Sequence, residues 1–391
     1  MVKLWRFIKT ILFIISNIFL LKKRLYWILA FLIIVIIIQI ISSNQTIKTW
    51  AKQHPFVSNS FFILSIFILS ISIRLTTIDI YSITSGSMEN TLVSGDIMLI
   101  SKLSYGPRLP SSPFKIPIIN LFFYLNQSSR KNVEKVWWKH KRLAGFVDLR
   151  HNDVVVFNSP DNTEDVLIKR CMGLPGDTIL IKDDKVFSNG KEITPKSTIK
   201  ILSRIVFNNF AKASFIMDSL NGTKYYSYYG QKNYYTFSLT SKEVIALKKY
   251  NCIDSIYVEK DQPNTSSFIF PFNPLFPWTK DDYGPIIIPS KGMTIQMNKS
   301  NYILYNYAIN HFEGSRISEI NNRYFINGIE SSNYIFRNNY YFMLGDNRNF
   351  SIDSRYKGFI PDQNIIGKAI LVLFSNEQEG LRWRRFLKVI N

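Results

Sequence analysis

Two serines flank a glycine in the stretch ITSGSMENTL (residues 83–92), just after the last long apolar run of the chain. Such a stretch usually marks a turn, because Gly accepts backbone angles that other residues avoid and Ser hydrogen-bonds to nearby backbone. A serine hydroxyl can also be a nucleophile, but only when a base takes its proton. The choice between a turn and a reactive site at Ser85 and Ser87 therefore depends on a base elsewhere in the chain.

A lysine within an apolar stretch is the candidate base. Lys169 lies in VLIKRCMGLPGD (residues 166–177), a strand-like run closed by a Gly-Leu-Pro-Gly turn. An edge-strand lysine that points to water gives the same pattern. Burial, however, can lower a lysine pKa by ~3–5 units, and the neutral amine can then accept a serine proton. Ser–Lys pairs are a recorded variant of serine hydrolase chemistry, so no histidine motif is required.

A third polar element is MLGDNRNFSIDSRYKGFIP (residues 343–361). It is either a solvated loop held by its own pairs, Asp346 with Arg348 and Asp353 with Arg355, or a loop that orders a site. Surface ion pairs contribute only ~0–1 kcal/mol each, so the second interpretation is favoured.

Metal and cofactor chemistry has no motif in this sequence. The two cysteines, Cys171 and Cys252, have neither zinc-site nor disulfide-framework spacing, although a single bridge between them stays open. The four histidines lie far apart. We expect no cofactor and no metal.

The chain is strongly basic, with a formal net charge of +20. Such a charge suits nucleic acid or an anionic membrane surface. The basic residues are spread along the chain without a nucleic-acid-binding motif, so we expect no nucleic-acid partner.

The first 75 residues form a predicted membrane anchor. Residues 25–41 and 56–73 are uncharged and apolar. Each segment has a length within the ~17–25 residues that a spanning helix needs. Residues 8–21 are interrupted by Lys9 and could cross the bilayer or lie in its interface. These apolar segments are longer than the apolar region of a cleaved signal peptide, and more than one is present, so we expect anchors and not a signal peptide. The number of spans, two or three, decides which side of the membrane the rest of the chain reaches. The sequence leaves both undecided.

Short β-branched and aromatic runs follow Arg74, broken by Gly, Pro, Asn and Asp, which is typical of strands. No long amphipathic helix competes with them. We therefore predict N-terminal transmembrane helices followed by a mostly β catalytic domain of curled antiparallel sheets. The predicted strands lie at residues 96–100, 153–157, 166–168, 178–181, 341–344 and 369–374.

Two Asn-Gly pairs, in residues 185–193 and 323–331, predict tight hairpins. The residues between the hairpins are rich in Asn, Ser, Tyr and Lys, and we interpret them as a large insertion, most disorder-prone over residues 219–242. The predicted domains are a core, an insertion lobe and a basic C-terminal tail: residues 76–193 with 323–375, residues 194–322, and residues 376–391.

Taken together, the three polar stretches resemble the bacterial type I signal peptidase family. The long stretch that leads into KDDYGPIIIP (residues 280–289) is similar to the versions found in Bacteroidetes. Three motifs follow one another in the same order as in the family: SGSM with Thr91-Leu92, IKR-x-x-GLPGD and GDNR-x-x-S-x-DSR. The likeness covers roughly residues 81–375. The resemblance implies a membrane-bound serine endopeptidase that removes signal peptides from exported preproteins after small residues.

The resemblance also implies a role for each matching residue. Ser87 would be the nucleophile and Lys169 its general base. Ser85 and the Ser87 N–H would stabilise the oxyanion, and Ser351 would orient Lys169. By the same resemblance, the remaining matches would form a supporting network, Arg170, Asp346, Arg348, Asp353 and Arg355, and would line a substrate pocket, Tyr81, Ile83, Met88, Leu167 and Ile168.

The sequence departs from the family at four positions. The family commonly has Pro at Thr84 and Asn90, Asp at Asn349 and Trp at Lys357. None of these removes a reacting group.

The family works at the outer, periplasmic face of the bacterial cytoplasmic membrane. The resemblance therefore implies signal peptides and the bilayer as partners, and it leaves the oligomeric state undetermined. Two rivals are a membrane-anchored scaffold protein with a relic site and a Ser–Lys self-cleaving regulator of the LexA kind. The intact Ser87, Lys169 and Ser351 argue against the first rival, and the apolar spans against the second.

Overall fold

A computed structural model describes residues 28, 43–116, 138–195, 199–208, 216, 234–261, 268–377 and 380–390. The predicted apolar segments 8–21 and 25–41 lie outside these residues, apart from Ile28. The chain divides into two compact units. Unit one is Met1–Ile80, Ile100–Asp148 and Ile366–Lys368, and unit two is Tyr81–Leu99, Leu149–Ile365 and Ala369–Asn391.

Unit one contains helices α1 (Gln45–Gln53) and α2 (Pro55–Thr76). Proline opens α2, where its missing N–H costs no helical hydrogen bond. The hydroxyls of Ser60, Ser65 and Ser72 donate to carbonyls one turn earlier, so these side chains need no water. Within the described residues, α2 is the one helix long and apolar enough to cross a membrane. The predicted segment 56–73 is thus confirmed as an apolar helix.

The remaining described helices are α3 (Ser241–Leu247), α4 (Lys299–Phe312) and α5 (Ser354–Lys357). In chain order the strands are β1 (Ile78–Ser82), β2 (Asp96–Ser101), β3 (Val154–Asn158), β4 (Val166–Gly173), β5 (Thr178–Lys182), β6 (Lys185–Ser188), β7 (Lys191–Glu192), β8 (Lys200–Phe207), β9 (Tyr234–Thr240), β10 (Ile253–Val258), β11 (Tyr283–Ile287), β12 (Thr294–Gln296), β13 (Ile317–Ile320), β14 (Arg323–Ile326), β15 (Ile329–Glu330), β16 (Asn333–Ile335), β17 (Tyr340–Leu344), β18 (Ile360–Pro361), β19 (Ile365–Glu377), β20 (Gly380–Leu381) and β21 (Lys388–Val389).

The main sheet has the order β1-β2-β19-β3-β4-β17-β18. Its centre pairs β3, β4 and β17 antiparallel, with Val155 opposite Lys169 and Leu344 opposite Arg170. Strand β3 is VVVFN, and its four apolar residues are all buried, as expected of a strand covered on both faces. The mostly β domain is confirmed, and each of the six predicted strands overlaps an observed one.

Both predicted hairpins are confirmed. In each turn the Asn and the Gly have positive φ, 49° and 80° at Asn189 and Gly190, and 52° and 84° at Asn327 and Gly328. These angles are the ones that make Asn-Gly the preferred pair in a two-residue hairpin turn.

Helix α4 corrects the expectation that no long helix interrupts the strands. Asn298 caps it by accepting from the Asn301 N–H at 2.9 Å. Its Tyr305 and Ile309 pack into the same core as Ile179. Asn and Tyr are mediocre helix formers, so packing rather than propensity establishes this helix.

Two smaller expectations are also resolved. Residues 234–242, assigned to the disorder-prone stretch, form β9 and the start of α3, so that part of the expectation is wrong; residues 219–233 lie outside the described part of the chain. Cys171 and Cys252 are buried and unbridged. The division into core, insertion lobe and tail stays a prediction.

Candidate active site

Ser87 lies in a tight turn that follows β1. The Glu89 N–H donates to the Gly86 carbonyl at 3.0 Å, and the Leu92 N–H donates to the Met88 carbonyl at 2.8 Å. We call residues 85–92 the nucleophile turn. The turn predicted from the Ser-Gly-Ser pattern is therefore present, and it holds Ser87 with only 8% of its surface exposed.

Strand β4 brings Lys169 to this serine. The distance from Lys169 Nζ to Ser87 Oγ is 2.7 Å, and Nζ also donates to the Ile168 carbonyl at 3.0 Å. Lys169 is 4% exposed, so the alternative of an edge-strand lysine pointing to water is wrong. The two residues are 82 positions apart in the sequence and within hydrogen-bond reach in the fold.

Burial lowers the pKa of Lys169 to about 8, while the carboxylates of Asp353 and Asp346 act in the opposite direction. A lysine with an ordinary pKa would hold its proton at neutral pH. With this pKa, a substantial fraction is neutral near pH 8 and can accept the Ser87 proton, which is the requirement for a general base.

The groups expected to stabilise an oxyanion lie beside the nucleophile. Ser85 Oγ is 3.4 Å from Ser87 Oγ. The Ser87 backbone N–H has no acceptor within the described residues. Both donors are therefore available to a carbonyl oxygen placed next to Ser87 Oγ.

Ser351 is buried next to the nucleophile turn. A Cβ on Gly345 would lie 2.2 Å from Ser351 Oγ and 2.6 Å from the Ser87 carbonyl oxygen, so Gly345 separates the two serines. Ser351 contributes to lowering the pKa of Asp353, yet its hydroxyl makes no hydrogen bond of ordinary geometry among the described residues. The structure thus brings Ser351 to the site but shows no bond from it to Lys169.

The supporting network is buried rather than at the surface. Arg170 donates to both carboxylate oxygens of Asp346, at 2.8 and 2.7 Å, and to the Asn152 carbonyl at 2.7 Å. The Thr91 hydroxyl donates to the same carboxylate at 2.5 Å. Asp346 therefore ties residues 343–361, which we call the polar loop, both to β4 and to the nucleophile turn.

A second bidentate pair lies within the loop itself. Arg355 contacts both oxygens of Asp353, at 2.9 and 2.8 Å, and Asp353 also accepts from the Gly345 N–H at 3.0 Å. Burial alone would raise the pKa of Asp353, but the charge and hydrogen bonds of Arg355, with the Gly345 N–H and Ser351, together hold the pKa below its usual value.

Arg348 is the predicted network residue with no such pair. Its guanidinium is buried and makes no hydrogen bond within the described residues. Burial and the charge of Arg355 lower its pKa to about 10. Its link to the network is its backbone carbonyl, which accepts from Arg355 at 2.5 Å.

A cleft of about 60 Å³ lies beside the two reacting side chains. Residues 82–85, 87 and 88 and the start of β4 line it, including four of the predicted pocket residues, Ile83, Met88, Leu167 and Ile168. Tyr81 is in β1 and does not line the cleft. A cleft of this size accommodates small side chains.

Sequence reasoning missed Asn347 as a site residue. Its backbone N–H donates to the Ser87 carbonyl at 3.0 Å, and its side-chain amide donates to the Gly86 carbonyl at 3.1 Å. Asn347 stands inside the GDNR motif, so its motif position was a usable signal. No cluster of His, Cys, Asp and Glu suited to a metal ion occurs in the described part of the chain.

The structure shows a backbone angle or a contact for each of the four residues that depart from the family pattern. Asn90 has φ 83°, an angle that proline cannot adopt and asparagine tolerates. Thr84 lines the cleft, Asn349 accepts from the Leu202 N–H at 2.9 Å, and Lys357 pairs with Asp161. None of the four is a reacting group.

Comparison with known proteins gives consistent matches. A family model described as signal peptidase, peptidase S26 matches residues 56–213 and 327–374, just over half of the chain. The signal peptidase I of Buchnera aphidicola subsp. Schizaphis graminum is 27% identical over 312 residues, which is 79% of this chain and 72% of the relative. That of Buchnera aphidicola subsp. Acyrthosiphon pisum is 24% identical over 89% of this chain and 82% of the relative.

A crystal structure of a signal peptidase I from Enterococcus faecalis V583 is also similar. It is 18% identical, with 56% of this chain and 96% of that chain covered, at a TM-score of 0.20.

Proposed function

The chain belongs to the signal peptidase family, peptidase S26, and from this premise we propose that Ser87 is its catalytic nucleophile and Lys169 its general base. Family membership gives the activity, that of a signal peptidase I, a serine endopeptidase. The observation that carries the residue assignment is the 2.7 Å contact between Lys169 Nζ and Ser87 Oγ in a buried setting.

In the first step the neutral Lys169 amine removes the Ser87 proton while Oγ attacks the scissile carbonyl. The carbonyl electron pair moves onto oxygen, where Ser85 Oγ and the Ser87 N–H are positioned to donate to it. Such donors each typically contribute ~10²–10³ in rate. The Lys169 ammonium then gives its proton to the leaving amine, and the C–N bond breaks to form an acyl-enzyme.

In the second step Lys169, neutral again, takes a proton from water, and the resulting hydroxide attacks the acyl carbon. The Ser87 oxygen leaves and recovers its proton from Lys169. The ion pairs of Arg170 with Asp346 and of Arg355 with Asp353 touch neither reacting atom. Their part is to hold β4, the nucleophile turn and the polar loop in register.

We propose that the substrates are signal peptides of exported preproteins, cut after small residues. The small cleft beside Ser87 supports this, since it accommodates an alanine side chain more readily than a large one. The apolar helix α2 and family membership support a membrane location. Several spans and an active site on the outer face of the cytoplasmic membrane belong to the same proposal.

The test is cleavage of a purified preprotein by the full-length enzyme in detergent. Ser87→Ala and Lys169→Ala should each lose at least ~10³-fold in kcat, because the nucleophile or its activation is removed. Arg204→Met is a matched control, since Arg204 is a charged residue of unit two whose partner is Glu259, outside the site. Wild-type cleavage by either site variant would overturn the assignment.

A further inference from the structure

We propose that the three-stranded sheet β10-β8-β9 positions the nucleophile turn, through Ser238 on β9 and Lys200 on β8. The sheet lies within the predicted insertion, outside the motifs that carry the chemistry. The inference rests on the proposed role of Ser87 and extends it to residues that touch neither substrate nor the reacting atoms. Ser238 and Lys200 are thus positioning residues.

Asn347 links this sheet to the nucleophile turn. Its side-chain nitrogen faces the Gly86 carbonyl at 3.1 Å and a Glu89 carboxylate oxygen at 3.3 Å, two groups that only accept hydrogen bonds. Its backbone N–H donates to the Ser87 carbonyl. One residue therefore binds the peptide groups on both sides of the Ser87 Cα.

Ser238 determines the orientation of Asn347. Its hydroxyl donates to the Asn347 amide oxygen at 2.6 Å, and Ser238 is 6% exposed. With the amide oxygen bound to Ser238, the amide nitrogen must point at the nucleophile turn. Without that hydroxyl, the buried amide oxygen loses its partner and the side chain is freer to rotate away.

Lys200 holds the turn at a second point. Its ammonium lies 3.4 Å from a Glu89 carboxylate oxygen, with the two side chains 6% and 15% exposed. Glu89 follows Ser87 by two residues and also receives the Asn347 amide. A buried pair of this kind is costly to break from one side, because the remaining charge is left uncompensated.

The sheet is attached to the polar loop by hydrogen bonds and has an apolar core. The Lys200 N–H donates to the Asp346 carbonyl at 2.8 Å, and the Leu202 N–H donates to Asn349 Oδ1 at 2.9 Å, so β8 is bound along the polar loop. The sheet also has its own apolar core, formed by Ile205, Phe207, Phe237, Leu239, Leu247 and Cys252. Asn349, one of the departures from the family pattern, is therefore an attachment point for the insertion.

The test compares Ser238→Ala with Ser203→Ala in the full chain in detergent. Ser203 is a buried serine of the same sheet whose hydroxyl bonds, among the residues that the structure describes, only to the Ile201 carbonyl, at 3.3 Å. Since a 1 Å misplacement can cost ~10²-fold, a partial loss of support in Ser238→Ala should lower kcat by about tenfold and change KM less than about twofold. Ser203→Ala should leave both parameters within about twofold of wild type.

Lys200→Met and Arg204→Met form the second matched pair. Both residues are on β8 and ion-paired, but Arg204 pairs with Glu259, the residue after β10, and its guanidinium lies over the Tyr234 ring. Lys200→Met should lower kcat like Ser238→Ala, and Arg204→Met should not. Equal losses in a site variant and its control, or wild-type kcat in both Ser238→Ala and Lys200→Met, would overturn the inference.

Hydrogen exchange of residues 83–92, followed by mass spectrometry, gives a readout that does not depend on cleavage. Exchange should be several-fold faster in Ser238→Ala and Lys200→Met than in wild type or the controls, because the turn opens more often. Unchanged exchange would overturn the positioning role. Should Ser87→Ala cleave like wild type while exchange changes as expected, the proposed nucleophile fails and the support of the turn stands.

Discussion

Gly345 occupies the space between the Ser351 side chain and the Ser87 backbone, and this gives a sharp test of how closely the site is built. Its φ lies outside the left-handed region, so alanine is acceptable to the backbone. A Cβ, however, would lie 2.2 Å from Ser351 Oγ and 2.6 Å from the Ser87 carbonyl oxygen. Gly345→Ala therefore perturbs the site by steric clash alone, without backbone strain.

The displacement follows from these distances. A carbon–oxygen contact needs ~3.3–3.6 Å, so the Ser87 carbonyl must give way by at least about 0.7 Å and Ser351 Oγ by about 1.1 Å. A misplacement of ~1 Å at a reacting group can cost ~10²-fold in rate. We expect kcat to fall by ~10–10²-fold with KM changed little, because the loss occurs in the transition state.

The assay is preprotein cleavage by purified full-length enzyme, with the folded fraction measured on each sample. Gly173→Ala is the control. Its Cβ would meet Phe342 Cβ at 2.8 Å and Ile179 Cγ1 at 2.9 Å, a packing clash in β4 without contact to Ser87. Gly173→Ala should lose stability but keep kcat per folded molecule. Wild-type kcat in Gly345→Ala, or an equal loss in Gly173→Ala, would refute the reasoning.

Two further outcomes follow from burial and backbone angle. Lys169→Met should abolish cleavage yet stabilise the fold by about 3 kcal/mol at pH 7, because a pKa lowered from 10.5 to about 8 means that folding penalises the charged form of Lys169. That penalty disappears only as the pH rises from about 8 to above 10. Denaturant unfolding of both proteins checks this, and an unchanged or lower stability of the variant contradicts it. Asn90→Pro, although it restores the residue common in the family, should destabilise by more than ~1 kcal/mol and lower kcat, because φ 83° is closed to proline; equal stability in thermal unfolding would contradict this.

Local patterns were enough to predict much of this fold. The Asn-Gly turns and the β-branched runs act over a few residues, so their signals survive in the sequence and the strands and hairpins follow. Helix α4 did not follow, because its Asn- and Tyr-rich sequence becomes helical by packing Tyr305 and Ile309 into the core. Contacts between distant segments leave no trace in local periodicity.

The site residues also divide into those that the sequence predicts and those that only the folded structure reveals. Resemblance to a known family brought Ser87, Lys169, Ser85 and Ser351 together, and the structure places them around one turn. Neither Ser238 nor Lys200 carried a signal, since a serine in a strand and a basic residue in a Lys-rich chain are ordinary. Their contacts with Asn347 and Glu89 depend on how the β8–β9 pair meets the polar loop.

The central claim is that neutral Lys169 is the base for Ser87, and the pH dependence of kcat/KM tests it most directly. With its pKa lowered to about 8, the neutral fraction falls as the pH drops. On preprotein cleavage by the full-length enzyme, kcat/KM should therefore decline about tenfold per pH unit below that value and level off above it. A kcat/KM that stays constant between pH 6 and pH 8 would contradict the claim.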